Sequence, residues 1–265
     1  MEIFRFRAGT APLLVSMPHV GTHVPEEIAA RMTPVAVGLD DTDWHVDRLY
    51  DFLEQLGASV LVATHSRYVI DLNRPPDGSS LYPGKDTIGL VPLDTARYER
   101  LYAPGAEPSA AEVASRVGQY WEPYHAKLAE ELARIQAAHG YALLWDAHSI
   151  ASVLPRFFEG KLPDLNLGTV HGASCAPGTG ERLLAIARRA QAYSAVLNGR
   201  YVGGCITRRY ARPQENVHAV QLELAQCTYM EEAPPYRFRE DLAERLRPQL
   251  KALLEEFLRC APARP

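Results

Sequence analysis

The sequence predicts an α/β fold, a single domain of three α/β/α layers in which helices cover both faces of one sheet. Three short apolar runs, at residues 13–19, 141–149 and 217–224, have the length and composition of strands buried on both faces. Segments with helical periodicity separate these runs, as is typical of the α/β class. Because the chain has 265 residues and is 47% hydrophobic, it can bury one large core, and a single domain is predicted for residues 1–265.

Local patterns predict the elements near the amino terminus. Apolar and basic residues alternate over 3–7, which is typical of an edge strand with one solvated face. Pro25 and the two glutamates after it are expected to open a short helix. Apolar residues at helical spacing predict a longer helix over 43–56, and Asp41 or Thr42 can cap it.

The middle of the chain is predicted to contain a strand, a loop and a long helix. The β-branched run 59–63 favours a strand. Glycines and prolines over 79–93 predict a surface loop long enough to act as a lid over a site. Ser109 is expected to cap an amphipathic helix that runs to residue 139, with a kink at Pro123.

The remaining segments complete the expected fold. A further strand is predicted at 167–170 and a helix over 178–192. The paired glycines and arginines within 198–210 favour a loop or hairpin, and leucine and phenylalanine at helical spacing predict a surface helix over 238–258.

Composition narrows the class of partner. The net charge of −4 and the scattered arginines argue against a nucleic-acid surface, so a small molecule is expected. No apolar stretch approaches the about 20 residues that span a bilayer, and residues 1–9 are unlike a signal peptide, which predicts a cytoplasmic protein. A monomer or a small homo-oligomer is expected, and the sequence does not choose between them. The four widely spaced cysteines form no Cys-x-x-Cys pair and are expected to be buried fillers. They are Cys175, Cys205, Cys227 and Cys260.

Three predicted strands carry chemically active side chains at or near their carboxyl ends. His19 follows the first strand, His148 ends the second together with Asp146, and Glu223 is embedded in the third. Ligands of open α/β sheets bind at this edge. A catalytic zinc site takes three protein ligands from histidine, aspartate and glutamate and leaves one position for water, so His19 and His148 are predicted metal ligands.

A carboxylate must supply the third ligand. Asp43 is our choice because it is expected in the first turn of its helix, where it can point towards a cation, whereas Asp41 suits a cap. Asp47, one turn later, is the runner-up, and acids that merely satisfy a helix terminus remain nearly as good an explanation. His23 is the weaker histidine, because Gly21 argues against the helix that its spacing from His19 would need.

The predicted base and anion-binding residues complete the candidate site. Burial would raise the pKa of Glu223 towards the range of a general base, unless an arginine pairs with it in a structural role. Arg67, Arg74, Arg208 and Arg209 flank these candidates in the sequence. Because arginines bind carboxylates through two hydrogen bonds, they predict an anionic substrate, with a dicarboxylate as one candidate, although surface ion pairs would explain Arg208 or Arg209 equally well.

Six motifs, spread in order from residue 18 to residue 224, together carry a family resemblance. They are Pro18-His19-x-Gly21, Asp41-Thr42-Asp43-Trp44, Ser66-Arg67-Tyr68-Val69-Ile70-Asp71-Leu72-Asn73-Arg74, Asp146-x-His148-Ser149, Gly203-Gly204 and Gln221-Leu222-Glu223-Leu224. This set resembles the N-formylglutamate amidohydrolase family. The family is similar in fold to zinc carboxypeptidases and aspartoacylases, which implies a mixed, mostly parallel sheet between helices.

The resemblance also implies roles for individual residues. It implies Zn²⁺ on the two histidines, Glu223 as the base, and Arg67, Asn73 and Arg74 around the substrate. Another divalent metal such as Co²⁺ would also suit the site, and Arg209, from the flanking arginines, is a further candidate for substrate binding. Two positions depart from the pattern. Thr22 stands where the carboxypeptidase relatives have a glutamate ligand, and Cys205 stands where an aromatic residue is expected.

The predicted reaction is metal-assisted hydrolysis of N-formyl-L-glutamate to formate and L-glutamate, the last step of a histidine-degradation pathway. Glu223 would take a proton from the attacking water and later give it to the departing amine, and Arg67 would help to stabilise the oxyanion. Two enzymatic alternatives use the same residues: a deacylase for another N-acyl acidic amino acid and a carboxypeptidase-like peptidase. A metal-free binding protein for an acidic amino acid would need the arginines alone.

Overall fold

A computed structural model describes residues 1–81, 84, 86–189 and 191–260. Within these ranges seven strands form one sheet in the order β1-β3-β2-β4-β7-β5-β6. The strands are β1 (Phe4–Arg7), β2 (Leu13–Met17), β3 (Ser59–Ala63), β4 (Ala142–Ile150), β5 (Leu165–Gly168), β6 (Ala195–Leu197) and β7 (Val217–Ala225). Strand β1 pairs antiparallel with β3, and β5 with β7, while the other neighbours are parallel. The predicted mixed, mostly parallel sheet is therefore confirmed.

Helices cover both faces of this sheet. They are α1 (Glu26–Ala29), α2 (Val46–Leu49), α3 (Ala110–Arg116), α4 (Glu122–His139), α5 (Thr179–Arg189), α6 (Cys205–Tyr210) and α7 (Glu240–Arg259). Helices α4 and α6 pack on one face, and α5 and α7 lie together on the other. On that second face Trp145 of β4 contacts Phe257 of α7, with ring centroids 5.7 Å apart. Two hydrophobic cores thus enclose the sheet, which confirms the three-layer prediction.

The central strands are buried as predicted. Every residue of β2 and β7 is buried, as is every residue of β4 except the last. The edge strand β1 alternates between half-buried and exposed residues, again as predicted. The limits of the single domain, residues 1–265, stay a prediction.

The long helix expected from Ser109 is divided. Ser109 does cap it, since its hydroxyl accepts a hydrogen bond from the Glu112 N–H. A π-helical turn at Val117–Trp121 then separates α3 from α4, and Pro123 lies in the first turn of α4. Pro123 has no N–H to donate to the carbonyl four residues earlier. The wider π-helical turn therefore falls just before Pro123, and it replaces the kink that was expected at this proline.

Two predicted elements were wrong. The helix expected over 43–56 is instead the short α2 followed by a 3-10 turn at Asp51–Glu54. His45 has a left-handed backbone (φ 62°) directly before α2, so the helix cannot begin at Asp43. The loop or hairpin expected over 198–210 contains α6, which forms because Ile206 and Tyr210, one turn apart, join the core on the α4 face.

Other boundaries differ by a few residues. The strand expected at 167–170 is β5 at Leu165–Gly168, and the helix expected over 178–192 is α5, which ends at residue 189. Residues 82, 83 and 85 of the predicted lid and residue 190 lie outside the described residues. In the part of the chain that the structure describes, no helix is long and apolar enough to cross a membrane.

Candidate active site

The residues predicted as metal ligands meet near the carboxyl ends of β2 and β4. The His19 Nδ1 lies 3.6 Å from the Asp43 Oδ2, and the His148 Nδ1 lies 3.0 Å from the same oxygen. All three side chains are buried, and one ligand atom from each lies within 4.8 Å of the others. The fold thus brings two nitrogens and one carboxylate oxygen into a single buried group.

Asp43 reaches this group from irregular backbone and not from the first turn of a helix. Its N–H donates to the His19 carbonyl at 3.0 Å, which ties the segment to the end of β2. The two alternative carboxylates are engaged by other groups. Asp41 accepts hydrogen bonds from the Ala96 N–H and the Tyr68 hydroxyl, while Asp47 pairs with Arg5 at the surface.

Each histidine is held from behind by a carboxylate. The His19 Nε2 lies 2.7 Å from the Asp71 Oδ1, and the His148 Nε2 lies 3.1 Å from the Asp146 Oδ2. A proton on each Nε2 would donate to these acceptors and leave both Nδ1 atoms free to bind a metal. Carboxylates in this position fix the tautomer and orientation of metal-binding histidines.

The electrostatics of the group favour ionised carboxylates. Burial alone would raise the pKa of Asp43, but His19 and His148 outweigh it and hold that pKa well below its usual range. Burial would also raise the pKa of Asp71. The neighbouring Arg67 guanidinium outweighs this effect, so that pKa is lowered as well. The pKa of His148 is raised, because Asp146 and Asp43 outweigh its burial. Because negative charge gathers around two imidazoles in a buried space, the set fits a divalent cation such as Zn²⁺.

Glu223 lies next to this group on β7. It is the direct partner of His148 in the pairing of β4 with β7, and its side chain lines the same cavity as the three ligands. Burial is the main cause that raises the pKa of Glu223 to about 8. Its carboxyl accepts a hydrogen bond from the Gln221 amide nitrogen at 3.4 Å, and among the described residues no arginine or lysine forms an ion pair with it. The arginine partner that a purely structural role would need is therefore not found in the described part of the chain.

Arg67 and Arg74 line the cavity beside the ligand group. An Arg67 Nη2 lies 2.6 Å from the Asp71 Oδ2, and its Nη1 donates to the Asp41 carbonyl at 3.4 Å. Arg74 donates through Nε to the Ile88 carbonyl at 2.8 Å. These bonds orient both guanidinium groups at the wall of the cavity.

Asn73 also lines the cavity, but its amide is engaged by the protein. Its oxygen accepts from the Ile206 N–H at 2.8 Å, and its nitrogen lies 3.3 Å from the Asp146 Oδ2 and 2.9 Å from the His148 Nε2. A Cβ at Gly204 would lie 2.4 Å from that amide nitrogen, so only glycine fits there. Asn73 therefore fastens the start of α6 to the site.

Arg209 does not lie among the residues that line this cavity. Its guanidinium is placed over the Trp121 ring, 5.1 Å from the centroid, beside a separate surface depression. Cys205 is buried, and burial raises the pKa of its thiol to about 11, as expected of an inert filler. All four cysteines are free, and all but the half-buried Cys227 are buried.

Sequence reasoning missed the roles of several residues. Asp146 had a usable signal, because it lies two residues before His148 and side chains two apart share a face of a strand. Asp71 had none, since it is 52 residues from the His19 that it contacts. Arg200 and Arg97 also line the cavity, and nothing local distinguishes them from other arginines.

One known protein family matches most of this chain. The model of the N-formylglutamate amidohydrolase family matches residues 11–230. The chain belongs to this family. The resemblance inferred from the six motifs is thereby confirmed.

Individual relatives extend the match over nearly the whole chain. The N-formylglutamate deformylases of Pseudomonas aeruginosa and Pseudomonas putida are 53% and 51% identical to it, each over 97% of this chain and 96% of the relative. The crystal structure of an N-formylglutamate amidohydrolase from Ralstonia eutropha superposes with a TM-score of 0.81 at 25% identity, covering 98% of this chain and 97% of that one. A gene product of Agrobacterium tumefaciens shares the fold, with a TM-score of 0.72 at 19% identity over 97% of this chain and 94% of that one.

Proposed function

We propose that this chain is a hydrolase that converts N-formyl-L-glutamate to formate and L-glutamate. The observation that carries the proposal is the meeting, in one buried cavity, of the ligand group His19, Asp43 and His148 with Glu223 and two oriented arginines. The relatives named N-formylglutamate deformylase support the choice of substrate.

The ligand group would hold a divalent metal, with zinc as our expectation. Bound there, the metal would act as a Lewis acid on the formyl carbonyl and activate a water. Asp71 and Asp146 keep both imidazole Nδ1 atoms directed at the metal position, because each accepts a hydrogen bond from the opposite ring nitrogen.

Glu223 would move the protons of the reaction. Its buried carboxylate takes a proton from the attacking water and returns it to the departing amine of glutamate. A pKa raised by burial suits a group that must both accept and release a proton. Arg67, which lines the cavity and lies 2.6 Å from the Asp71 that contacts His19, would stabilise the charge that develops on the formyl oxygen.

Arg74 would bind a substrate carboxylate. Its Nε bond to the Ile88 carbonyl and its Nη1, 3.9 Å from Asp71, fix the group beside the ligand histidines. A guanidinium held in this way can bind a carboxylate through two parallel hydrogen bonds.

A substrate panel with metal analysis tests the proposal. Purified protein should contain about one divalent metal per chain, as expected for a site with three protein ligands. It should hydrolyse N-formyl-L-glutamate faster than the N-acetyl and N-succinyl analogues, and lose activity with a chelator. Full activity in a rigorously metal-free preparation would contradict the requirement for a metal. A preference for another acyl group would contradict N-formyl-L-glutamate as the substrate.

Four finer points stay predictions. They are zinc as the native metal, a place in histidine degradation, a cytoplasmic location, and a monomer or small homo-oligomer.

A further inference from the structure

Arg200 lines the cavity but takes no part in the function proposed above. It follows β6, and its side chain is half-buried. Its Nε donates a hydrogen bond to the Phe157 carbonyl at 2.6 Å, and its guanidinium carbon lies 5.5 Å from the centre of the Tyr201 ring. These contacts fix the plane of a cation at the cavity wall. Such preorganisation reduces the entropy that the side chain would lose on binding an anion.

Three arginines that line the cavity come from opposite sides of the central strands. Arg67 and Arg74 follow β3, whereas Arg200 follows β6. Strands β2, β4 and β7, which bring the ligand histidines and Glu223 to the site, lie between β3 and β6 in the sheet order. A ligand at the reaction centre thus has positive charge available from two separate directions. This arrangement suits a small molecule with two anionic groups at different ends.

The two carboxylates of N-formylglutamate differ in their distance from the amide bond that breaks. The α-carboxylate shares a carbon with the amide nitrogen, so it must stay close to the catalytic groups, and Arg74 is near them through Asp71. The side-chain carboxylate extends beyond the methylene groups, and Arg200 is anchored to the loop after β4 that carries Phe157 and not, as Arg74 is, beside the residues that hold the ligand histidines.

We propose that Arg200 binds the side-chain carboxylate of the substrate and so determines the specificity for glutamate, an inference that rests on the proposed function. Glutamine has nearly the same shape as glutamate but no charge. The contribution of Arg200 to specificity can therefore be measured as the ratio of kcat/KM for N-formyl-L-glutamate to kcat/KM for N-formyl-L-glutamine.

The test is Arg200→Met, which keeps an unbranched side chain and removes the charge. We expect kcat/KM on N-formyl-L-glutamate to fall by about 10- to 150-fold, the range for the loss of a hydrogen bond to a charged group. On N-formyl-L-glutamine it should stay nearly unchanged, so the preference for glutamate collapses. Arg200→Lys should lie between, because lysine supplies charge without the fork of donors. Arg188→Met, at an exposed arginine of α5, is the matched control and should keep the wild-type preference.

The outcomes separate the two proposals. If wild-type protein is active on N-formyl-L-glutamate and Arg200→Met retains its preference over glutamine, the Arg200 inference is overturned and the proposed function stands. Equal losses on both substrates, in a variant with the wild-type melting temperature, would also overturn it. A wild-type protein that is inactive on N-formyl-L-glutamate would overturn the proposed function and this inference together.

Discussion

Replacing Glu223 with glutamine separates catalysis from stability at the centre of the site. The substitution keeps the volume of the side chain and removes its ability to take up a proton. General base catalysis contributes typically about 10²- to 10⁴-fold, so kcat should fall by that factor, which corresponds to about 3–5 kcal/mol of activation free energy. Metal content should be unchanged, because Glu223 is not part of the ligand group.

The effect on stability should be small for a reason that the structure supplies. Among the described residues Glu223 forms no ion pair, so glutamine leaves no cation stranded. With a pKa of about 8 in the metal-free protein, the carboxyl is mostly protonated at neutral pH, and a neutral amide replaces a neutral acid. We therefore expect the free energy of unfolding of the metal-free protein to change by less than about 1 kcal/mol.

Glu131→Gln is the matched control, because Glu131 is a buried glutamate with a purely structural environment. It pairs with Arg134 at 2.6 Å and also accepts a hydrogen bond from the Ser59 hydroxyl. This variant should melt at a lower temperature and keep the wild-type rate per folded molecule. The assay records formate release, metal content and melting temperature on the same samples. A Glu223→Gln protein that is less stable yet turns over at the wild-type rate would refute the role of Glu223 as base.

Three further predictions concern a metal ligand, a substrate-binding arginine and a buried histidine. His148→Ala should lose both bound metal and activity, since it removes one of three ligands; retention of metal by elemental analysis would contradict the ligand assignment. Arg74→Lys should lower kcat/KM on N-formyl-L-glutamate sharply and spare metal content, and unchanged kinetics would make Arg74 structural. Burial lowers the pKa of His125 to about 3, so its contribution to stability is complete above pH of about 6.5 and is lost as the pH falls towards 3. Between pH 7 and pH 5, urea unfolding should therefore show the wild type losing about 2 kcal/mol more than His125→Gln, and equal losses would contradict the argument.

Much of the architecture followed from local sequence alone. Strands β2, β4 and β7 are apolar on both faces, and a run of this kind is stable only between two layers of helices. The positions of His19 and His148 at or near strand ends then predicted which edge of the sheet carries the site. These features depend on neighbours in the sequence and on a general rule about parallel sheets.

Local sequence could not set the ends of the elements that tertiary contacts stabilise. Asp43 was expected on a helix, yet the left-handed backbone at His45 breaks that helix and the His19 carbonyl holds Asp43 in place. The segment of α6 was predicted to be a loop, and it is helical because its apolar residues pack into the core beside β7. In both cases packing against distant residues outweighs the local preference for or against a helix, which is roughly a few tenths of a kcal/mol per residue.

The choice among chemically equal candidates also belonged to the tertiary structure. Asp41, Asp43 and Asp47 are close in sequence, but only Asp43 joins the two histidines. The arginines divide in the same way, since Arg200 lines the cavity and Arg209 packs on Trp121. The sequence determined which chemical groups were available and at which edge of the sheet. The tertiary structure decided which of them meet, because contacts between residues far apart in the chain depend on how all the strands and loops pack together.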